Sequence, residues 1–332
     1  MCGWDLPDRR SGLELAICAS PAESAPLFCV PERVARPRRR MPTAIEMIEL
    51  LARAAGLTTA PSAAGRFTRG LIELFGGLEE CAIALRSPTT MAVLDGYQST
   101  VSSGQEPGVY LDAISRRFLT LADAAALADV AAEQARTIVD QLLDRHVLDR
   151  GLVLACERCA YAAFYPLAEL SRNFTCGRCG RSAAIRQERW KKPVDEPYWY
   201  YSLDEVAFQA LSHDGWDVVE VLTQLSHHTR SFLWTPQMDF WQGDDLLGEI
   251  DIIAIADGRL IVGEAKSGDR LEHGAGAERK AVARLVQLAE HLTADTLVLA
   301  SRTTWSQRTR QAIATAVASQ DLETRFFDTI GS

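Results

Sequence analysis

Long apolar runs are missing from this sequence. No stretch approaches the roughly 20 apolar residues that a membrane-spanning helix needs, and the N-terminal MCGWDLPDRRSGLELAICAS does not place a basic segment before an apolar core. Both absences argue against an anchor or a secretory signal, so we expect a cytoplasmic protein. Its 47% hydrophobic and 24% charged residues are typical of a globular protein, and 332 residues suffice for two or three domains.

A net positive charge is also missing. The formal net charge of −9 argues against indiscriminate binding to phosphate backbones. The charge is unevenly spread, because residues 193–332 contain 11 basic and 22 acidic residues, a net of −11, whereas residues 151–192 contain 8 basic and 3 acidic residues, a net of +5. We therefore expect any contact with nucleic acid to begin in the basic middle segment.

The sequence of the first half of the chain predicts helices and contains no motif that indicates catalysis or metal binding. Residues 1–43 have no sustained hydrophobic period, so we interpret them as a flexible leader in which Met41 is an alternative start. Residues 44–110 form a predicted helical region. Residues 111–155 have the order helix, helix, longer helix and strand pair with a turn at 149–151, which is typical of a winged helix-turn-helix. Its last helix is poor in Lys and Arg, so DNA reading and protein docking both stay open.

Four of the eight cysteines occur in two C-x2-C motifs. Cys156 and Cys159 form one C-x2-C knuckle, and Cys176 and Cys179 form a second one sixteen residues later. This spacing is typical of a four-cysteine zinc site. Four thiolates leave no open position for water, so the predicted zinc ribbon over residues 156–192 is structural; a pair of redox-active dithiols is the alternative. The unpaired cysteines are interpreted as ordinary thiols: Cys2, Cys18, Cys29 and Cys81.

The predicted ribbon is basic and contains aromatic residues, so it could contact phosphates and stack on bases. The alternative is a solvated rim on a spacer domain. The basic residues concerned are Arg158, Arg172, Arg178, Arg181, Arg186, Arg189, Lys191 and Lys192.

Three ionisable residues lie on two predicted apolar strands that meet at Asp257-Gly258, a hairpin signal. Glu264 and Lys266 point to one face of their strand, and Asp251 on the neighbouring strand can face the same cavity. Two converging carboxylates repel each other unless a divalent cation holds them, and hard oxygen ligands suit Mg²⁺ or Mn²⁺. A lysine beside them can orient or help deprotonate an attacking water and stabilise charge on a phosphate. These are the groups that phosphodiester hydrolysis needs.

The segment Gly248-Glu-Ile-Asp251, separated by twelve residues from Glu264-Ala-Lys266, resembles the D-x(n)-(D/E)-x-K core of the PD-(D/E)xK nucleases. The local sequence is similar to Holliday-junction resolvases and Mrr-type restriction enzymes, and the resemblance covers about residues 202–318. It implies a restriction-endonuclease-like αβββαβ domain over 193–332, within an α/β fold class. It also implies that Asp251 and Glu264 bind the Mg²⁺ or Mn²⁺ and that Lys266 acts on the water.

Two further site residues follow from the same resemblance. Glu205 matches the acidic residue that many members place on the first helix, although with Ser202 it also has the form of a helix capping box. Gln287 stands where related branches place a glutamine, but His291 replaces the expected aromatic partner, so an ordinary surface position is the alternative. The intervening segment 216–225 is interpreted as a strand.

The leading hypothesis is a metal-dependent DNA endonuclease, for which restriction or phage defence would be a role by analogy. The alternatives are a catalytically inactive nuclease-fold protein that binds DNA or regulates, and an RNA-cleaving effector. A homo-oligomer is left open. The acidic residues before the core either guard the site or bind a basic partner protein; they are Asp239, Asp244, Asp245 and Glu249.

Overall fold

The computed structural model describes residues 42–98, 118–186 and 198–330, and the backbone of two short strands nearer the N-terminus. These strands, β1 (Ala16–Cys18) and β2 (Leu27–Cys29), pair antiparallel with each other. The chain divides into two compact units, Met1–Thr43 and Ala44–Ser332. The rest of the predicted leader lies outside the described residues, and everything below concerns the second unit.

The second unit begins with helices and one short strand. These elements are α1 (Ala44–Ala54), β3 (Thr58–Pro61), α2 (Ala63–Phe75), α3 (Leu78–Arg86) and α4 (Pro88–Gln98). The helical region predicted for residues 44–110 is thus divided, over its described part, into four helices with β3 between the first two. None of the helices in the described ranges is long and apolar enough to cross a membrane.

The middle of the chain contains α5 (Leu121–Ala128), α6 (Ala132–Asp144) and β4 (Leu148–Ala155). The turn predicted at 149–151 is wrong, because these residues lie inside β4. The physical reason is that β4 is the central strand of a three-stranded sheet and is bonded on both sides, by β5 (Ala162–Pro166) and by β8 (Tyr200–Leu203). Most of the helix predicted at 111–119 lies outside the described residues.

The predicted ribbon continues from β4 and β5. A short 3-10 helix (Leu167–Glu169) leads into a hairpin of β6 (Asn173–Thr175) and β7 (Ser182–Ala184). The first cysteine pair lies between β4 and β5, and the second lies between β6 and β7. Two hairpins therefore carry the four cysteines.

The segment after β8 contains α7 (Glu205–Ser212) and α8 (Gly215–Ser226). The strand predicted for 216–225 is wrong, because this segment is α8. Its valines favour a strand locally, but Val218, Leu222 and Leu225 recur at helical spacing and pack on the large sheet described next.

The capping box predicted for Ser202 is also wrong. Ser202 lies in β8, and Asp204 is the residue that caps α7. The Asp204 carboxylate accepts hydrogen bonds from the backbone N–H groups of Val206 at 2.8 Å and Ala207 at 3.2 Å.

A six-stranded sheet forms the centre of the unit. Its sequence-order elements are β9 (Phe232–Gln242), β10 (Asp245–Ala256), β11 (Arg259–Lys266), α9 (Ala275–His291), β12 (Thr296–Ser301), α10 (Gln307–Val317) and β13 (Glu323–Phe327). The spatial order is β13-β12-β11-β10-β9-β3. Strands β9 to β11 form an antiparallel meander, whereas β12 and β13 run parallel to β11. The predicted mixed α/β class is confirmed at this level.

Apolar side chains cover both faces of this sheet. On one face, α8 packs over Ile252, Ala254 and Ala265. On the other face, α9 and α10 pack over Val262, Leu297 and Leu299. The predicted site residues Glu264 and Lys266 alternate with Ala265, so they lie on the α9 side of β11.

The N-terminal helical region contributes to the same sheet. Strand β3 pairs antiparallel with β9, and α2 packs against α7. The division into separate domains at residues 110, 155 and 192 stays a prediction.

Gly65 in the first turn of α2 allows a close approach to β9. An added Cβ at this position would lie 2.0 Å from the carbonyl oxygen of Gln237. Because that atom belongs to a strand backbone, we expect Gly65→Ala to lower the free energy of unfolding by at least about 2 kcal/mol. Gly276→Ala in α9 is the matched control, since an added Cβ there meets nothing within 4 Å; it should raise stability by up to about 1 kcal/mol. Urea unfolding measures both, and equal effects would contradict the close contact.

Candidate active site and metal centre

The turn between β10 and β11 sets the register of the predicted acidic motif. Asp257 and Gly258 both have positive φ angles, 48° and 83°, as a two-residue hairpin turn requires. This predicted hairpin is confirmed. The register pairs Ile252 with Gly263, so Asp251 and Glu264 lie one step further along on neighbouring strands.

Three of the predicted site residues meet. The Lys266 Nζ lies 2.7 Å from Glu264 Oε1 and 3.7 Å from Asp251 Oδ2. The backbone N–H of Ala265 donates to Asp251 Oδ2 at 3.1 Å, which fixes that carboxylate against β11. The side chains of Asp251 and Glu264 are only 12% and 18% exposed. One ammonium group is therefore placed beside two nearly buried carboxylates.

The electrostatics of this trio are unbalanced. Burial raises the pKa of Asp251 well above its usual range, and the charge of Glu264 raises it further, while Lys266 acts in the opposite direction. Burial likewise raises the pKa of Glu264 against the effect of Lys266. Burial alone would lower the pKa of Lys266, but the two carboxylates outweigh it and raise that pKa. The geometry thus concentrates more negative charge than one lysine neutralises.

A cavity of about 300 Å³ opens beside these residues. Glu264 and Lys266 form part of its wall, and α9 forms another part. The remaining charged residues of the wall are Asp239, Glu249, Glu272 and Arg284.

The acidic residues that precede the core fall into two groups. Asp239 and Glu249 face each other across β9 and β10 and line the cavity. Burial raises the pKa of Asp239, and repulsion from Glu249 adds to this effect, while Arg66 opposes it. Asp244 and Asp245 instead lie exposed at the turn between the two strands.

Glu205 and Gln287 do not line this cavity. Glu205 is the first residue of α7 and accepts a hydrogen bond from Gln209 Nε2 at 2.8 Å. Gln287 is exposed on α9, and its backbone carbonyl lies 2.8 Å from His291 Nδ1. Their catalytic roles stay predictions.

Sequence reasoning missed Arg284 as a cavity residue. Ala281, Arg284 and Leu288 recur at intervals of three and four residues, so they share one face of α9. That face lines the cavity. Gln287 lies only three residues after Arg284 and yet does not line the cavity, so helical spacing alone could not have selected Arg284 over Gln287.

The four predicted zinc ligands come together. Cys156 Sγ lies 3.6 Å from Cys179 Sγ, and Cys159 Sγ lies 3.6 Å from Cys176 Sγ. All four sulfur atoms lie within 4.8 Å of one another. A tetrahedral zinc with Zn–S bonds of about 2.3 Å would separate its sulfurs by about 3.8 Å. The cluster could therefore hold a zinc ion, and no other group of three or more His, Cys, Asp or Glu ligands this close occurs in the described ranges.

The two knuckles share one backbone pattern. The N–H of Ala160 donates to the carbonyl of Cys156 at 2.8 Å, and the N–H of Gly180 donates to that of Cys176 at 2.9 Å. Burial opposes ionisation of Cys156, but the backbone N–H groups of Cys159 and Arg158 lower the pKa of this thiol to about 6. Such donors favour the thiolate form of Cys156. The backbone N–H of Tyr161 lowers the pKa of Cys159, but burial and the neighbouring thiols outweigh it and raise that pKa to about 11.

The remaining thiol within the described ranges is buried, as predicted: Cys81 in α3. The side chains of the other three cysteines predicted to be ordinary thiols lie outside those ranges; they are Cys2, Cys18 and Cys29.

An ion pair between a buried aspartate and an exposed arginine lies at the end of the sheet near Lys266. Asp217 on α8 has no exposed side-chain surface, and its Oδ1 accepts a hydrogen bond from Arg302 Nε at 2.6 Å. The backbone N–H of Arg302 donates to the carbonyl of Lys266 at 3.3 Å. The pair therefore ties α8 to the ends of β11 and β12.

Comparisons with known proteins assign no family. No protein-family model matches the chain, and no curated protein matches it. Protein VC1899 from Vibrio cholerae aligns with a TM-score of 0.36 and 10% identity over 83% of this chain and 57% of that chain. Can2 from Sulfobacillus thermosulfidooxidans, solved in complex with cyclic tetra-adenylate, aligns with a TM-score of 0.33 and 10% identity over 84% and 56%. The chain thus spans a little over half the length of both, and neither likeness assigns it a fold or a function.

Asp217 should make stability depend on pH. Burial raises its pKa from 3.8 to about 6 against the effect of Arg302. A carboxyl with a raised folded-state pKa stabilises the fold below its unfolded pKa, and that stabilisation is lost as the pH rises through about 6. In the wild type this loss lowers the free energy of unfolding by up to roughly 3 kcal/mol between about pH 4 and pH 7, and Asp217→Asn should abolish it.

Unfolding by urea across this pH range measures the effect. Asp321→Asn, at an exposed position, is the matched control and should keep the wild-type slope. If Asp217→Asn shows the same slope as the wild type, the carboxylate is ionised in the fold at low cost and the expectation is wrong.

The cysteine cluster predicts metal content. Freshly purified protein should contain one zinc ion per chain, because four thiolates complete a tetrahedral shell. Cys176→Ser should lower this content, whereas Cys81→Ser, at a buried cysteine outside the cluster, should leave it unchanged. Elemental analysis by mass spectrometry measures all three. The assignment fails if the wild type contains no zinc or if Cys176→Ser retains it in full.

Proposed function

We propose that the chain is a divalent-metal-dependent nuclease that hydrolyses DNA phosphodiester bonds. The observation that carries this proposal is the meeting of Asp251, Glu264 and Lys266, with the ammonium 2.7 and 3.7 Å from the two carboxylates. Glu264 and Lys266 line the acidic cavity, whereas Asp251 does not line it and adjoins it through these two residues. Nothing about the packing of the sheet requires three ionisable groups on these apolar strands. Their desolvation costs several kcal/mol per charge, and a binding role offsets that cost.

The carboxylates fit a hard divalent cation. Both are nearly buried and both have a raised pKa, so a second positive charge beside them would relieve their repulsion. Mg²⁺ is usually bound by one or two protein carboxylates, with water and phosphate oxygens completing its shell. When bound, such a cation polarises the phosphoryl group and makes water more acidic. Asp251 and Glu264 would hold it.

The chain's own cations would act on the phosphate. Lys266 is held between the carboxylates, where its ammonium can donate hydrogen bonds to a phosphate oxygen and orient the attacking water. Arg284, across the cavity on α9, offers a second positive group to the same phosphate. The wall also carries Asp239, Glu249 and Glu272, which repel a phosphate when no metal is bound. This balance of charge favours strict dependence on a divalent cation.

The choice of DNA rests on the resemblance of the motif to resolvases and Mrr-type enzymes. Exposed arginines on the ribbon support contact with a phosphate backbone; they are Arg158, Arg172, Arg178, Arg181 and Arg186. Restriction or phage defence is a role that such an activity would serve.

Cleavage assays with single variants test the proposal. Wild-type protein should cut supercoiled plasmid and labelled DNA with Mg²⁺ or Mn²⁺ and should not cut with chelator. Lys266→Ala and Asp251→Ala should each lose at least about 100-fold in rate, because they remove charge stabilisation that the transition state needs. Lys280→Ala is the matched control, since this exposed lysine on α9 does not line the cavity.

Metal binding separates the two roles. Asp251→Ala should lose Mn²⁺ affinity, whereas Lys266→Ala should bind Mn²⁺ and yet fail to cleave. Thermal melts check that both variants fold. Equal cleavage by wild type and Lys266→Ala would contradict the mechanism, absence of Mn²⁺ binding by the wild type would contradict the metal site, and cleavage of RNA without DNA would reassign the substrate.

A further inference from the structure

A second cavity, of about 890 Å³, lies between α5, α6 and the three-stranded sheet. It shares no lining residue with the acidic cavity. Its wall combines aromatic rings with two guanidinium groups; the residues used below are Tyr198, Trp199, Tyr201, Arg136, Arg150 and Asp123.

Two of the rings are exposed although aromatic side chains are usually buried. Tyr198 is 52% exposed and Trp199 is 44% exposed. No other Phe, Tyr or Trp in the described ranges is comparably exposed. Because the two residues are adjacent and both line one concavity, their flat surfaces are available to a ligand and not to the core.

Arg150 is held in place at the same cavity. It lies opposite Tyr201 in the register of β4 and β8, and its guanidinium lies 5.6 Å from the centre of the Tyr201 ring. Asp140 on α6 accepts a hydrogen bond from Arg150 Nη2 at 3.3 Å. Arg136 lies one helical turn before Asp140 and is exposed. Both guanidiniums therefore border the cavity from fixed elements.

One carboxylate also lines the cavity. Both the backbone N–H and the hydroxyl of Thr120 donate to Asp123 Oδ2 at 2.8 Å, so this oxygen caps α5. The wall carries two arginines and one aspartate, and Asp140 outside the wall also pairs with Arg150. The exposed guanidinium of Arg136 is therefore the positive group that is available to an anion.

We propose that this cavity binds an unpaired nucleotide of a single-stranded nucleic acid. Tyr198 and Trp199 would stack on the base, and Arg136 and Arg150 would bind the adjoining phosphate. Stacking platforms beside basic groups are how proteins hold single strands without reading their sequence. A purely apolar ligand would leave both guanidiniums unused, and a simple anion would leave the rings unused. A base paired within a duplex is stacked on its neighbours and cannot reach the rings.

The cavity volume agrees with this ligand class. Sites for small organic molecules usually enclose about 300 to 1,000 Å³, which covers one or two nucleotides. The site is independent of the acidic cavity, so it adds a binding function to the proposed cleavage and does not depend on it.

Binding of a labelled strand in the presence of chelator tests the proposal on the full chain. A fluorescein-labelled oligo-dT of about 12 nucleotides should bind, and Trp199→Ala should raise its Kd roughly 5- to 150-fold. Trp199→Phe keeps a ring and should retain binding. The double variant Arg136→Ala/Arg150→Ala should weaken binding and lower the salt slope by about 1.4. Arg53→Ala, at an exposed arginine on α1 outside the cavity, is the matched control.

The competitors distinguish the possible ligands. The matching oligo-dT·oligo-dA duplex and thymidine monophosphate should compete poorly. Equal affinity for the duplex would overturn the proposal, and so would unchanged affinity in both Trp199→Ala and Arg136→Ala, since Arg136 makes no contact needed for folding in the described ranges. If thymidine monophosphate displaces the labelled strand as effectively as unlabelled oligo-dT does, the ligand is a free nucleotide. That result would overturn the proposal of a single-stranded nucleic acid as the ligand. Chelator prevents cleavage, so this result and the cleavage result can fail separately.

Discussion

The placement of two carboxylates on apolar strands is the constraint on which the rest of the structure depends. Asp251 and Glu264 are nearly removed from water, and within the described ranges they are compensated by the Lys266 ammonium, by the backbone N–H of Ala265 and more weakly by Arg284. A bare pair of this kind would destabilise the sheet by several kcal/mol. The hairpin turn, the cover by α9 and the alternation along β11 all serve to hold these groups within bonding distance. The electrostatic free energy of the site is thus unfavourable to folding, and the packing of the sheet offsets it.

Other buried carboxylates in the unit are satisfied differently. Glu220 on α8 receives two hydrogen bonds from Arg86 on α3, at 2.8 and 3.1 Å, and Asp217 receives one from Arg302. Each of these pairs joins a helix to a neighbouring element. Both oxygens of Glu220 accept hydrogen bonds, whereas the second oxygen of Asp217 has no hydrogen-bond partner in the described ranges. The trio at the acidic cavity differs from these pairs, because two carboxyl groups there share one ammonium. The proposed role of the trio is to accept a further cation.

Sequence reasoning succeeded where the signal is local. The hairpin at Asp257-Gly258 and the clustering of the four spaced cysteines each follow from a few adjacent residues, and the structure has them at those positions. It failed where tertiary packing decides. The valine-rich segment that became α8 looks like a strand until the sheet beneath it is known. Strand β3 has only four residues and ends in a proline, so it has no period to detect.

The aromatic cavity could not have been predicted, because its walls come from residues 118–150 and 198–201, which the intervening ribbon separates in sequence. The family resemblance placed Glu205 and Gln287 in the site from their neighbours in sequence, and neither lines the cavity. The three positions on the strands, Asp251, Glu264 and Lys266, meet in space, whereas the surroundings of positions on the flanking helices depend on how each helix is rotated.

Strand β3 also decides how the chain can be divided. It bonds to β9 along Thr58–Pro61 and so closes one edge of the six-stranded sheet. A fragment that began at residue 193, where the composition changes, would leave the 11-residue β9 as an open edge with unpaired N–H and C=O groups. It would also uncover the face of α7 that packs on α2. Such a piece would self-associate through strand pairing and hydrophobic contact, so a soluble fragment that contains the acidic site has to start before β3.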